Sequence, residues 1–527
     1  MKDITIGILK SLLVLALFFP MACEELEENP DFITRDNFFN TAEQLQLGVN
    51  AIYDGIGSGH DGWNHFYNRF VFECRVGYQV GWEKGPSDFQ NGVVTPADDY
   101  IATYWRISYE NINKANALVE KADELIAADI PNIELVHRVK AEAIFLRAFY
   151  YYNLVRYFDD VPFTVKRTES DKDLPSNENG KRKVLDLIES DLTTVANTLP
   201  GSYAADDLGR ATKWAAQTLL MKAYLLDEKW NEAKAAAETI INEGGFNLFD
   251  DFSHNFDVAH ENSGERIFEA QVSAAAGSSE NHNSHSHFVP ADLPNEVGGQ
   301  GWHWLNGTQS FRMKYDPADA RIPGTFISEY PSSRVGRNAQ GKYPTITWSE
   351  NASYNLSRFG GLVSAGADPD QPATLVFSNA WTSKWVEIGI ANPSLNEKNI
   401  VYLRYADVLL GHSEAANESG TGDPYFGINE VRRRANLAPL AGLDQSQLRD
   451  AIVEERVLEF AFEQETYAEL KRKSTFGGEQ DYLGKYIQEF IDTYNVDRRL
   501  SPKDYVLPIP LSETLGNPHV QQNSVYQ

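Results

Sequence analysis

Helical periodicity, arriving in pairs of segments separated by short breaks, is the feature that most narrows what this chain can become. Apolar residues recur at the spacing of one helix face, and few runs alternate every second residue as a half-buried strand does. The pattern predicts an early helix capped by Asn40, with Glu43 reaching back, that runs through Leu45, Val49 and Ile52 to the glycines after Asp54. Long helices are predicted near 101–127 and 133–157, the second apolar enough from Ala143 to Val155 to lie buried on most sides. A helix near 184–199 precedes a hairpin with Ala216, Leu219, Leu220 and Ala223 on one arm and Trp230, Ala233, Ala237 and Ile241 on the other. Further helices are expected near 402–418, closed by Gly420, near 426–435, and over 446–473, the last opened by Asp444 or Ser446. Small alanines where the arms could cross give these hairpins the texture of tetratricopeptide packing, although no strict sequence period survives.

Between 273 and 395 the texture changes to Gly, Ser, Asn, Pro and scattered aromatics with no sustained period. A loop this long inside a compact fold is uncommon unless it binds something or is disordered, and its many Trp and Tyr residues argue against disorder. The expected fold is therefore mostly α: a tetratricopeptide-like α-helical superhelix carrying a large loop-rich insertion. Five regions follow: 1–22, 23–39, a helical region 40–272, the aromatic insertion 273–395, and a helical region 396–527.

The first two regions concern export. An apolar run from Leu12 to Phe19 lies between Lys10 and Pro20 and ends at Ala22-Cys23. That is short of the roughly 20 residues needed to span a bilayer and fits a cleavable signal peptide. A cysteine after a small residue at that point suggests lipoprotein processing, with Cys23 as the lipidated N-terminus, followed by the acidic tether Glu24-Glu25-Leu26-Glu27-Glu28. The only other cysteine is Cys74, so no intrachain disulfide is available after processing and stability must come from a large core. A formal net charge of −28 argues against nucleic acid, whose phosphates require clustered Lys and Arg.

Several segments, in order, resemble the SusD/RagB family: Lys140-Ala141-Glu142-Ala143-Ile144-Phe145-Leu146-Arg147-Ala148-Phe149-Tyr150-Tyr151 with Asp160-Val161-Pro162; Arg210 to Ala216; Leu403-Arg404-Tyr405-Ala406-Asp407-Val408-Leu409-Leu410 with Glu414-Ala415; Ile452 to Glu463; and Leu507-Pro508-Ile509-Pro510. The chain departs from that pattern at Asp159, where the family carries glycine, and at Gln464, Thr466 and Glu469-Leu470, where it carries a Gly-x-Arg-x-x-Asp-Leu run. The motifs look structural, with Arg404 and Arg456 on helices paired to Glu455, Glu459 or Glu463. The resemblance implies a cell-surface lipoprotein of the outer membrane that captures a glycan and delivers it to a SusC-type TonB-dependent transporter. It implies no enzyme and no cofactor, and nothing in the residues indicates calcium. The alternatives are a peptide-binding lid of a related importer and a secreted glycoside hydrolase.

No binding residue carries over by motif, so candidates come from chemistry. Sugar rings offer C–H faces to π-systems and hydroxyls to amides and carboxylates, so a glycan platform needs exposed aromatic rings beside polar groups. Two stretches fit: the loop 61–69 with Trp63, Asn64 and Tyr67, followed by Trp82; and 299–307, where glycines flank Trp302 and Trp304. Trp348, Tyr354 and Trp381 are secondary candidates. His282, His285, His287 and His303 have the residue type of a metal site, but lack an accompanying carboxylate or cysteine at fixed spacing and read better as a solvated polar loop. The adjacent pairs Asp159-Asp160 and Glu454-Glu455 cannot face one another as glycosidase carboxylates do. Gly411-His412-Ser413-Glu414-Ala415 has nucleophile-elbow spacing but falls within a helix, which leaves Ser413 a small helix residue.

Overall fold

In a computed structural model, described over residues 39–57, 65–168, 170, 173–273, 283–352, 356, 368–371, 375–392 and 396–527, the expected helix pairs stack in sequence order. The described helices of the body are α1 (Ala42–Tyr53), α2 (His65–Glu73), α3 (Lys84–Asn91), α4 (Asp99–Ala127), α5 (Ile133–Phe158), α6 (Gly180–Val195), α7 (Lys213–Leu226) and α8 (Trp230–Glu243), then α9 (Tyr405–Ser419), α10 (Phe426–Arg434), α11 (Gln445–Glu459), α12 (Thr466–Arg472) and α13 (Tyr482–Tyr494). Helix α5 is the axle: from Ala141 to Phe158 nearly every side chain is buried, with α1, α4 and α6 packed on it. The stack continues α6–α7–α8 and then passes directly to α9, which packs along α8 and carries α10 and α11. The tetratricopeptide-like α-helical superhelix is thus continuous in space across a break in sequence. None of the described helices is long and apolar enough to cross a membrane.

The break is closed by pairing. Strand Arg266–Ala270 runs antiparallel to Ile400–Arg404, so the chain leaves and re-enters the body at one two-stranded neck. Beyond it lie short helices, a three-stranded sheet of Glu329–Pro331, Thr345–Trp348 and Val376–Phe377, and strand Leu305–Gly307, which pairs with Gln79–Gly81 of the body. The sequence shows no periodicity there because these elements are too short to complete one.

Three local expectations are corrected. Helix α1 is capped by Thr41, one residue later than expected: Gln44 completes the capping box, while Glu43 accepts instead from Asn132 (3.0 Å). The segment expected to begin helix α9 at 402 is strand up to Arg404, because its backbone is used by the neck. The single helix expected over 446–473 is two helices, α11 and α12, separated by a turn in which Phe462 and Gln464 take φ values of 61° and 65°. Gln464 stands in this left-handed position where the family carries glycine, and Asp159, the other departure, has φ 59°. Asp159 supplies a contact glycine cannot, pairing with Lys471 (2.9 Å) and Lys181 (3.2 Å).

The turn exists because three nearby carboxylates must reach different cations. Glu459 and Glu463 face Arg404, whereas Glu465 accepts from Arg69 (2.8 Å), Arg156 (2.7 Å) and Lys222 (3.2 Å). Arg456, expected to pair with Glu455, Glu459 or Glu463, instead reaches Asp407 (2.5 Å) and Glu469 (3.0 Å). Burial acts to raise the Glu465 carboxyl, but Arg156, Lys222 and Arg69 outweigh it and hold the group at about 2. Glu414, pushed up by burial, is likewise held at about 2 by Arg472 and Lys473.

A carboxyl held below its ordinary 4.5 stabilises the fold fully above that value and progressively less as pH falls toward its folded value. The contribution of Glu465 and Glu414 to unfolding free energy is therefore expected to drop by roughly 2–4 kcal/mol between about pH 5 and about pH 3. Comparing denaturant melts of the parent with Glu465→Gln and Glu414→Gln across that range checks this, and identical pH slopes contradict it. Cys74 is buried, and burial pushes its thiol up to about 12, which leaves it unreactive.

Candidate functional site

Glycines bring the second candidate stretch close to the short helix Ser284–Phe288. The Ser286 carbonyl accepts from both the Trp302 and His303 amides (2.7 and 2.9 Å), and a Cβ on Gly301 would sit 2.7 Å from that carbonyl oxygen and 2.6 Å from a Val289 methyl. Only glycine admits so close an approach. His303 takes φ 57° and its Nδ1–H donates to the Val289 carbonyl (3.0 Å), which turns its imidazole inward and leaves Trp302 and Trp304 as neighbours.

The two indoles stack with centroids 5.2 Å apart and 23° between planes; Trp302 is 40% exposed and Trp304 half-buried beneath it. His287 lies edge-on to both, 4.8 Å from Trp302 and 5.3 Å from Trp304, and its other face stacks on Tyr67 at 3.9 Å. Tyr67 continues the cluster to Tyr100 at the start of α4 (6.1 Å). Burial pushes the Tyr67 phenol well above its ordinary value, with the Glu83 carboxylate acting in the same direction. The result is an exposed indole face on an aromatic stack.

The structure therefore joins one residue of the first candidate stretch, Tyr67, to the pair Trp302 and Trp304 of the second. Tyr67 itself is buried and supports the stack. Trp82 is held by backbone pairing with Trp304 (N–H to carbonyl, 3.0 Å), and its indole N–H donates to the side-chain carbonyl of buried Asn306 (3.1 Å). Trp63, Asn64 and Tyr354 lie outside the described residues. Trp348 belongs to a different packing unit: its indole donates to the Ser378 carbonyl (3.1 Å) and its ring lies under the Arg312 guanidinium (4.0 Å). Trp381 is core, 2% exposed.

The histidine group is not the solvated loop expected. His282 is outside the described residues, but His285 and His287 are buried. His285 uses both ring nitrogens, donating from Nε2 to the Gly298 carbonyl (2.8 Å) and accepting the Glu387 amide at Nδ1 (3.1 Å). Its lone pair is spent on backbone, so it is a strut for the glycine loop. The sequence offered His287 only as a metal candidate and gave Tyr100, just before the helix expected from 101, no role, so their part in the stack had no earlier signal.

The acidic near misses have structural duties. Asp160 accepts the Lys181 amide (3.0 Å), Glu454 accepts the Tyr486 hydroxyl (2.7 Å), and Glu455 pairs with Arg321 (2.7 Å) and Arg432 (2.9 Å). Ser413 lies within α9, where its hydroxyl accepts the Ile428 amide (2.8 Å).

Comparison with known proteins agrees with this architecture. Residues 264–526 match the model of the SusD family, and residues 26–225 match a family described as starch-binding and associating with the outer membrane. SusD-like protein P2 of Formosa agariphila is 26% identical over 97% of this chain and 98% of its own. A laminarin-binding SusD-like protein of known structure superposes with a TM-score of 0.68 at 22% identity, covering 92% of this chain and all of that one (100%). Surface glycan-binding protein A from Bacteroides fluxus superposes with a TM-score of 0.71 at 19% identity, covering 92% of this chain and 100% of that one. Matched along both its helical regions and in overall fold, the chain belongs to the SusD/RagB family.

Proposed function

We propose that this protein is a glycan-binding lipoprotein of the outer membrane, anchored through Cys23 and exposed at the cell surface, that hands an oligosaccharide or polysaccharide to a SusC-type TonB-dependent transporter. The observation that carries the reading is the exposed Trp302 indole, locked by Trp304 and His287 into a flat apolar face of the size of a sugar ring. The laminarin-binding and surface glycan-binding relatives support carbohydrate as the ligand class, and the family description supports the outer membrane. No catalytic residue is assigned, and no cofactor is needed for a platform that holds a ring by dispersion and C–H contact. In this reading Trp63 and Asn64, outside the described residues, remain candidate ligand contacts.

A glycan-array screen run beside a peptide library tests the ligand class. Saturable binding to a glycan series is expected, and selective binding to peptides would overturn the reading. Co-purification from a detergent-solubilised outer membrane should yield a β-barrel transporter as the partner.

A further inference from the structure

Between α8 and the neck, two consecutive turns of 3-10 helix, Phe252–Phe256 and Val258–His260, cross the buried cations of the body. Lys384 and Arg434 lie over the Phe252 ring at 4.9 and 4.8 Å, and Phe252, Asn255 and Phe256 are buried. Asp251 and Asp257, both in extended backbone, cap the two turns, and His254 and His260 each lie three residues beyond a cap; His254, Asp257 and His260 are half-buried.

Ligand atoms of His254, Asp257 and His260 lie within 4.8 Å of one another. The two imidazoles stack at 3.8 Å and 16° between planes. His260 Nδ1 is 2.8 Å from each Asp257 oxygen. Arg266, its charge paired with Glu269 (3.0 Å), donates to the His254 and Asp257 carbonyls (2.8 and 2.6 Å) and fixes the backbone of both turns. Phe249 covers the two rings edge-on, 5.9 Å from His254 and 5.5 Å from His260.

We propose that His254, Asp257 and His260 bind a divalent transition-metal ion of the zinc class, with water completing its coordination. Two imidazoles and one carboxylate are a donor set suited to zinc and its first-row neighbours. The ion would clamp the two turns together at the root of the insertion. The site is independent of the aromatic platform.

The test uses untagged, EDTA-stripped protein titrated with Zn²⁺ by calorimetry and with Co²⁺ by visible absorption. One ion per chain is expected. His254→Ala and His260→Ala should each weaken binding by about tenfold or more, and the double variant should lose both the stoichiometric step and the cobalt band. The exposed His519 serves as control, and His519→Ala should change nothing. Because the ligands are half-exposed, circular dichroism and melting in EDTA should match the parent protein, which separates lost ligation from lost folding. No stoichiometric binding, or binding that survives the double substitution, overturns the proposal.

Discussion

Arg404→Ala is expected to cost about 3–5 kcal/mol of unfolding free energy, the range for removing one partner from a buried charge cluster. Arg404 is 1% exposed and donates to Glu463 (2.8 Å), Glu459 (2.6 Å) and, more weakly, Glu265 (3.3 Å), while its guanidinium lies over the Phe460 ring (4.1 Å). Among the described residues, alanine would leave these carboxylates with Arg321, Arg434 and Lys384 as counter-charges in a deeply buried region. Coulomb attraction alone would make the cluster a poor source of stability, since desolvating so many charges offsets most of it. Removing one cation is different, because the desolvation penalty stays while its compensation goes. Guanidinium melts measure this, and a loss below about 1 kcal/mol would show that water or side-chain rearrangement replaces the arginine.

That effect should be felt at the platform. Arg404 pins the turn containing Phe462; the Phe462 carbonyl accepts the Trp385 indole (2.7 Å), and Phe70 packs edge-on against both Trp385 (5.4 Å) and Phe288 (4.9 Å). Phe288 ends the short helix whose Ser286 carbonyl holds the Trp302 amide. The charged heart of the body is therefore tied by contiguous packing to the loop that presents the indole.

The second large effect is on binding. Trp302→Ala should lower glycan affinity by about 10–100-fold, or about 1.4–2.7 kcal/mol, because it removes the exposed face and leaves the stack below intact. Trp302→Phe should recover part of the loss by restoring a smaller ring. Trp304→Ala should weaken binding and stability together, since its half-buried indole supports Trp302 and packs against the core. Trp348→Ala should leave affinity unchanged, because its ring is occupied by Arg312. Calorimetry with a ligand from the array separates these outcomes, and an unchanged Kd for Trp302→Ala would remove the platform from the account.

The superhelix was legible because helices long enough to show a period reveal which face they bury: α4, α5, α7 and α8 lie within a few residues of where apolar spacing puts them. The break between α11 and α12 was not, because Glu459, Glu463 and Glu465 fit a helix locally and only the distant Arg404, Arg69, Arg156 and Lys222 force the chain to turn. The site divided in the same way. Glycines around Trp302 and Trp304 announced a tight loop with projecting indoles, whereas the His287–Tyr67 layer beneath it depends on contacts between residues more than two hundred positions apart. The bare presence of an indole was a weaker guide, as Trp348 and Trp381 became packing residues.

The most direct measurement incubates purified protein with its glycan at near-stoichiometric concentration, reading bound fraction by calorimetry and ligand length by chromatography of the recovered sugar. The account predicts saturable binding that depends on Trp302, with every oligosaccharide recovered at its original length. Shortened products, or saturable glycan binding that is indifferent to Trp302, would contradict it.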